Sequence, residues 1–263
     1  MIPVGDENPT LRTPVMTYVL LAVIFGTWLL VQGGGFQELP LVASVCNYGL
    51  VPGELTGQAP LGLAVPLSRQ LGLACVVDDQ PINILTPLTS MFLHGSWGHI
   101  LSNSLFFWVF GNNVEDSMGR GRFLAFYLLC GLAAAGAHVL IDPASPVPTV
   151  GASGAISGLL GGYLLLYPRV RVKMLFIFII IFRIIPLPAW VVLLWWFGLQ
   201  VLTGLPQLTT LRPEVSGGVA VWAHVGGFVA GLVLVRLFAD ERLVEAHRVI
   251  LAERARARLG AGA

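Results

Sequence analysis

Val150–Tyr167 reads VGASGAISGLLGGYLLLY. The stretch carries no charge and approaches the roughly 20 apolar residues that cross a bilayer as a helix. Gly154, Gly158 and Gly162 recur every fourth residue, a spacing that lets two helix backbones come close together. Ser153 stands at the start of this run with small residues around it, and Ser157 follows one turn on. A hydroxyl in that place reads either as one more small packing residue or as a reactive group. The rest of the chain decides between them.

Of 263 residues, 56% are hydrophobic and 11% are charged. Soluble domains carry about 25% charged residues, and the mean hydropathy here is +0.80. This is the composition of a polytopic membrane protein. The formal net charge of +1 says little about nucleic acid, because the basic residues form no solvated domain, and no nucleic-acid partner is expected. The segment MIPVGDENPTLRTP has no basic leader and no small-residue cleavage signal after it, so the first apolar run reads as a retained span. Cys130 lies within an apolar run. Cys46 and Cys75 share one long loop, where they either pair in an oxidising compartment or stay free.

Six spans are expected: Met16–Val31, Leu88–Phe110, Phe123–Ile141, Val150–Tyr167, Leu187–Thr203 and Gly217–Val235. Val172–Pro186, VKMLFIFIIIFRIIP, is rich in β-branched and aromatic residues. Lys173 and Arg183 at its two ends suit an interfacial extended segment better than a seventh span. Six spans put both termini on one side. Thirteen Arg and Lys residues then lie on that side, and only Arg69 and Arg212 on the other, which makes the terminal side cytoplasmic. The expected fold is all-α, with a cytoplasmic N-terminus over 1–14, a six-helix membrane domain over 15–238 and a cytoplasmic amphipathic tail over 239–263. The outer loop, 33–85, holds only five charged side chains and should lie on the outer leaflet or against the helices. His247 in the tail is expected on a solvated or lipid-facing helix, without a catalytic role.

Polar groups inside a membrane are costly and face an interior or a cavity. His224 lies about seven residues into the sixth span, roughly 10 Å deep. Ser153 sits near the outer end of the fourth, which runs in the same direction. A histidine beside a serine can serve as the base that activates it, or it can satisfy a helix–helix hydrogen bond. Gly227 and Gly231 repeat the close-packing spacing of the fourth span. His99 and Asn103 share one face of the second span; they are candidate donors to an oxyanion, with the backbone N–H of Ser153 in the first turn of its helix as a third. His94 is read as structural and His138 as packing or surface. No acid is placed to complete a triad, so a Ser–His dyad is the simpler reading.

These pieces together resemble the rhomboid family of intramembrane serine proteases. The residues carrying the resemblance are HGSWGHILSN (His94–Asn103), GNNVEDSMGRGRF (Gly111–Phe123), GASG (Gly151–Gly154) and AHVGG (Ala223–Gly227), in the family order, over about Thr86–Val235. The resemblance implies a rhomboid-like bundle with Ser153 as nucleophile, His224 as general base, and His99, Asn103 and the Ser153 amide lining the oxyanion site. It implies single-span or polytopic membrane protein substrates, cleaved in or near transmembrane segments within the lipid bilayer. Substrate access is implied past the fifth span, where Trp190, Trp195 and Trp196 form a gate face or ordinary lipid-facing groups, under the loop Gly204–Ser216. Neither a metal nor a cofactor is implied, because the histidines share no metal-ligand spacing. The expected location is a bacterial inner (cytoplasmic) membrane, with the site opening to the extracytoplasmic side. One departure stands out: where many members carry a Trp–Arg pair before the second span, this chain has Leu85-Thr86-Pro87, so another contact must anchor the outer loop. The rival readings are a catalytically inactive rhomboid-like protein that binds transmembrane partners and, more remotely, a small-molecule transporter, which the lack of an internal repeat disfavours.

Overall fold

A computed structural model describes residues 2–68, 71–178, 181–209 and 220–260. The chain opens with strand β1 (Ile2–Asp6) and helix α1 (Val15–Gly26), which continues with a wider turn to Val31. The loop over 33–85 contains α2 (Glu38–Tyr48), α3 (Pro52–Thr56) and the strand pair β2 (Ala64–Ser68) and β3 (Leu73–Val76). After the short α4 (Thr86–Thr89) come α5 (Trp97–Met118), α6 (Arg120–Ile141) and α7 (Ser153–Leu166). Strands β4 (Arg171–Phe178) and β5 (Ile181–Pro188) follow, then α8 (Ala189–Thr209), α9 (Val221–Phe238) and α10 (Glu241–Gly260).

The fold is mostly helical but not all-α. Strands β4 and β5 pair antiparallel, and β1 adds a third strand against β4. Their β-branched and aromatic residues suit a pleated surface, and residues 172–178 and 181–186 of the expected extended segment are extended. By length and composition, α6, Ala189–Pro206 of α8 and α9 can each cross a membrane, and Val15–Val31 and Ser153–Leu166 are shorter apolar helices. The second expected span is displaced. Residues 93–95 are not helical, and the helix starts at Trp97, where Ser96 Oγ caps the His99 N–H. It then runs on through the polar NNVEDSM.

That polar end of α5 is a clamp. Glu115 accepts hydrogen bonds from the Met16 N–H at 2.9 Å and from the Thr17 N–H and hydroxyl at 2.8 Å each. A carboxylate thus satisfies first-turn donors of α1, where the helix dipole favours negative charge. Asp116 accepts from the Leu11 and Arg12 N–H groups, and Arg12 also pairs with its side chain. Gly119, at φ 77°, turns the chain from α5 into α6, a conformation that favours glycine. The GNNVEDSMGRGRF stretch therefore ties the N-terminal segment to the bundle.

At the same end, Tyr163 of α7 and Asn113 of α5 donate to the Asp6 carboxylate. Burial pushes that carboxyl up to about 6, against the downward pull of these hydrogen bonds. His247 corrects the expectation of a solvated or lipid-facing position. It is fully buried, with Nε2 3.3 Å from Asp116 Oδ2 and its ring 5.3 Å from that of Tyr167. Helix α10 folds back against α5 and hides one face there, a contact that the helix's polar composition does not reveal.

The core is aromatic. Phe107 stacks on Tyr127 at 5.2 Å, and Phe110 meets Tyr163 edge-on at 5.0 Å. The loop over 33–85 folds against the bundle. Leu50 bridges to Thr149, the Gly53 N–H bonds Ser145 O at 2.8 Å, and the Thr89 hydroxyl bonds Tyr48 O. Cys46 and Cys75 form a disulfide that joins α2 to β3. These contacts anchor the loop where the Trp–Arg pair is missing. Arg69, Arg212 and 210–216 of the expected access loop lie outside the described residues.

Candidate active site

Helices α7 and α9 run parallel and in register, with Gly154 facing Gly227 and Gly158 facing Gly231. A Cβ on Gly227 would stand 2.0 Å from the Gly154 carbonyl oxygen, and one on Gly231 would stand 2.0 Å from that of Gly158. The two backbones therefore touch, and nothing larger than glycine fits at either position. The fourth-residue glycine spacing seen in the sequence is this contact.

The contact brings together two side chains 71 residues apart. Ser153 Oγ and His224 Nε2 are separated by 2.8 Å. Ser153 is the first residue of α7, so its N–H belongs to the first turn, where no intrahelical acceptor exists. His224 is buried on the first turn of α9. Ser157, one turn below Ser153, donates to the Ser153 carbonyl at 2.6 Å.

His99 lies against the turn that presents the serine. Gly151 has φ 131°, and a Cβ there would come within 2.7 Å of His99 Nε2. The first glycine of GASG is thus required both by its backbone and by the ring beside it. The Gly151 N–H is held by Ser90 O at 2.9 Å. Ser153, His224, His99 and Asn103 all line one cavity of about 610 Å³. His138 lines it too and bonds the Thr149 hydroxyl at 3.0 Å, a companion not evident in the sequence.

Asn103 is partly engaged. Its Nδ2 lies 3.0 Å from Nε2 of the fully buried His94. The Gln32 side chain bonds both the N–H and the carbonyl of His94, each at 2.8 Å. His94 is structural, as expected, and what it structures is the amide of Asn103. An amide nitrogen carries two protons, so one remains for the cavity.

Two residues of α8 close the site, and the sequence reading missed one of them. Gln200 Oε1 lies 2.8 Å from His224 Nδ1. Trp196, one turn earlier, places its ring 5.8 Å from the imidazole. The helical spacing of Trp196 and Gln200 was the available signal, but only the docking of α8 beside α9 gives it meaning. Trp190 and Trp195 are exposed on the outward side of the same helix.

The model of the Rhomboid domain matches residues 82–241. Among curated relatives, the chain is 43% identical over 77 residues to Rhomboid protease GluP of Bacillus subtilis, covering 29% of this chain and 15% of that protein. It is 31% identical over 157 residues to Rhomboid-like protein 11, chloroplastic, of Arabidopsis thaliana, covering 58% and 51%. It is 38% identical over 77 residues to Putative rhomboid protease YdcA of Bacillus subtilis, covering 29% and 38%. The matched region is thus about half or less of each relative's own length.

Proposed function

From the premise that the chain belongs to the rhomboid family of multi-pass membrane proteins, we propose that it is an intramembrane serine endopeptidase acting through Ser153 and His224. The observation that carries this reading is the 2.8 Å contact between Ser153 Oγ and His224 Nε2 in a cavity lined by His99 and Asn103. Two of the relatives above are named as proteases, which supports the same activity.

His224 takes the Ser153 proton as the oxygen attacks a substrate carbonyl. Negative charge then develops on that carbonyl oxygen. His99, the free amide proton of Asn103 and the first-turn N–H of Ser153 stabilise it. The imidazolium returns its proton to the leaving amine, and water later releases the acyl group by the reverse sequence. The substrate is a transmembrane segment of another membrane protein, locally unwound so that its carbonyl is free.

In the membrane, we place the spans on Val15–Val31 and on α5, α6, α7, α8 and α9. The basic residues gather at the end that carries the termini and the β1–β4–β5 sheet, so that end is cytoplasmic. The membrane is a bacterial inner membrane, and the Ser153 mouth opens to its extracytoplasmic side. The domain limits are 1–14, 15–238 and 239–263.

Labelling with a fluorophosphonate, together with cleavage of a model transmembrane substrate in liposomes, tests the activity. Wild type should label and cleave, and Ser153→Ala and His224→Ala should do neither. Equal labelling and cleavage in all three would overturn the assignment.

A further inference from the structure

Both ring nitrogens of His224 have a partner. Nε2 faces Ser153 Oγ at 2.8 Å, and Nδ1 faces Gln200 Oε1 at 2.8 Å. A neutral imidazole carries a single N–H. If that proton sat on Nε2, the ring would donate to the serine and have no lone pair with which to take its proton. An acceptor fixed at Nδ1 holds the proton there and leaves the Nε2 lone pair facing the hydroxyl. The amide oxygen of Gln200 is such an acceptor.

We propose that Gln200 is a positioning residue for His224. Its side-chain oxygen selects the Nδ1–H tautomer and fixes the tilt of the ring, in the place that a carboxylate fills in a three-residue relay. The proposal rests on the reading of Ser153 and His224 as nucleophile and base. It revises the two-residue reading of the sequence, which sought an acid and found none. A neutral amide fits a site between apolar helices, where a fixed carboxylate carries a heavy desolvation cost. An amide also stabilises the imidazolium less than a carboxylate does, so it orients the base with little effect on its charge.

Trp196 supports the assignment. Trp196 and Gln200 are four residues apart on α8 and so share one face of the helix. The indole lies 5.8 Å from the imidazole at 38° between planes. One side chain packs against the ring while the other bonds its edge. Both belong to α8, whereas Ser153 and His224 belong to α7 and α9. The alignment of the base therefore depends on α8 being seated, and a displacement of α8 away from α9 withdraws both supports together.

The test uses the full chain in liposomes, with Gln200→Leu, Gln200→Glu, Ser153→Ala and His224→Ala beside wild type. Fluorophosphonate labelling rates are measured across pH, and kcat and KM are measured for a model transmembrane substrate. Gln200→Leu should lower kcat and the labelling rate about ten-fold, as loss of one orienting hydrogen bond predicts, with KM unchanged. Gln200→Glu should stay active, and the acid limb of its pH profile should move to higher pH, because a carboxylate favours the imidazolium. If Gln200→Leu misfolds, Gln200→Asn, one methylene too short to reach Nδ1, should show the same loss. A Leu or Asn variant with wild-type kcat, or a Glu variant whose pH profile superimposes on wild type, overturns the proposal. So does a change confined to KM, which would mark Gln200 as a substrate-access contact. Cleavage by Ser153→Ala or His224→Ala would instead remove the premise, whatever the Gln200 variants do.

Discussion

Adding one methyl group at Gly227 should disable the proposed active site without touching Ser153 or His224. The Cβ of Gly227→Ala would lie 2.0 Å from the Gly154 carbonyl oxygen and 3.3 Å from Ala134 Cβ. A backbone carbonyl in the first turn of α7 cannot rotate aside as a side chain could. To reach a contact of about 3.2 Å, α7 and α9 must part by roughly 1.2 Å, because a close-packed interface has no void to absorb the methyl. Gly154 adjoins Ser153, and Gly227 lies three residues past His224, so the separation falls at the Ser153–His224 pair. Their 2.8 Å contact opens to about 4 Å, beyond a hydrogen bond. Overpacking of this kind costs about 1–3 kcal/mol of stability, and a displacement of about 1 Å at a reacting centre costs about 100-fold in rate. The assay is cleavage of a transmembrane substrate and fluorophosphonate labelling, read beside thermal melting. Gly136→Ala is the control. Its Cβ meets nothing within 4 Å, and alanine gains up to about 1 kcal/mol of helix propensity there. A folded Gly227→Ala protein that cleaves within about two-fold of wild type would refute the claim that backbone contact sets the Ser153–His224 distance.

Other perturbations reach the parts that hold the bundle. Glu115→Ala leaves three donors of Met16 and Thr17 without their acceptor and should destabilise the protein by about 2–4 kcal/mol, seen as a lower melting temperature. Asp6 has its carboxyl raised from 3.8 to about 6 by burial. The folded state therefore binds that proton more tightly than the unfolded chain does, and the stabilisation present below pH 4 is lost as pH rises through about 6. Melting temperature should fall across that window in wild type, and the fall should shrink in Asp6→Asn. Reduction of the Cys46–Cys75 disulfide, which spans a separation of 29 residues, should cost about 2–4 kcal/mol. Limited proteolysis within 33–85 should then speed up while the helices stay intact.

Much of this was legible along the chain because each signal was local. The apolar runs, the fourth-residue glycines, and the positions of Ser153 and His224 need only the helical repeat and a count of residues. What was missed came from segments that meet only when folded. Nothing in the sequence singled out Gln200, His247 was expected on a solvated or lipid-facing helix, and Cys46 and Cys75 were open to either state. The polar GNNVEDSM stretch gave no hint that Glu115 would cap α1 across 98 residues.

The sequence alone determined that the chain is a helical membrane protein of this family, with small residues on two helix faces and a serine and a histidine at matching depth. The helical and small-residue pattern depends on period and composition, which a short window carries; the family rests on the likeness of four motifs, and the matching depth on the count of spans along the chain. Tertiary structure decided that the glycine faces of α7 and α9 meet each other, that His94 holds Asn103, and that α8 lends Gln200 to His224. Those facts depend on which helices become neighbours. That choice is made by packing and hydrogen bonding between residues far apart in the chain, and no local window contains it.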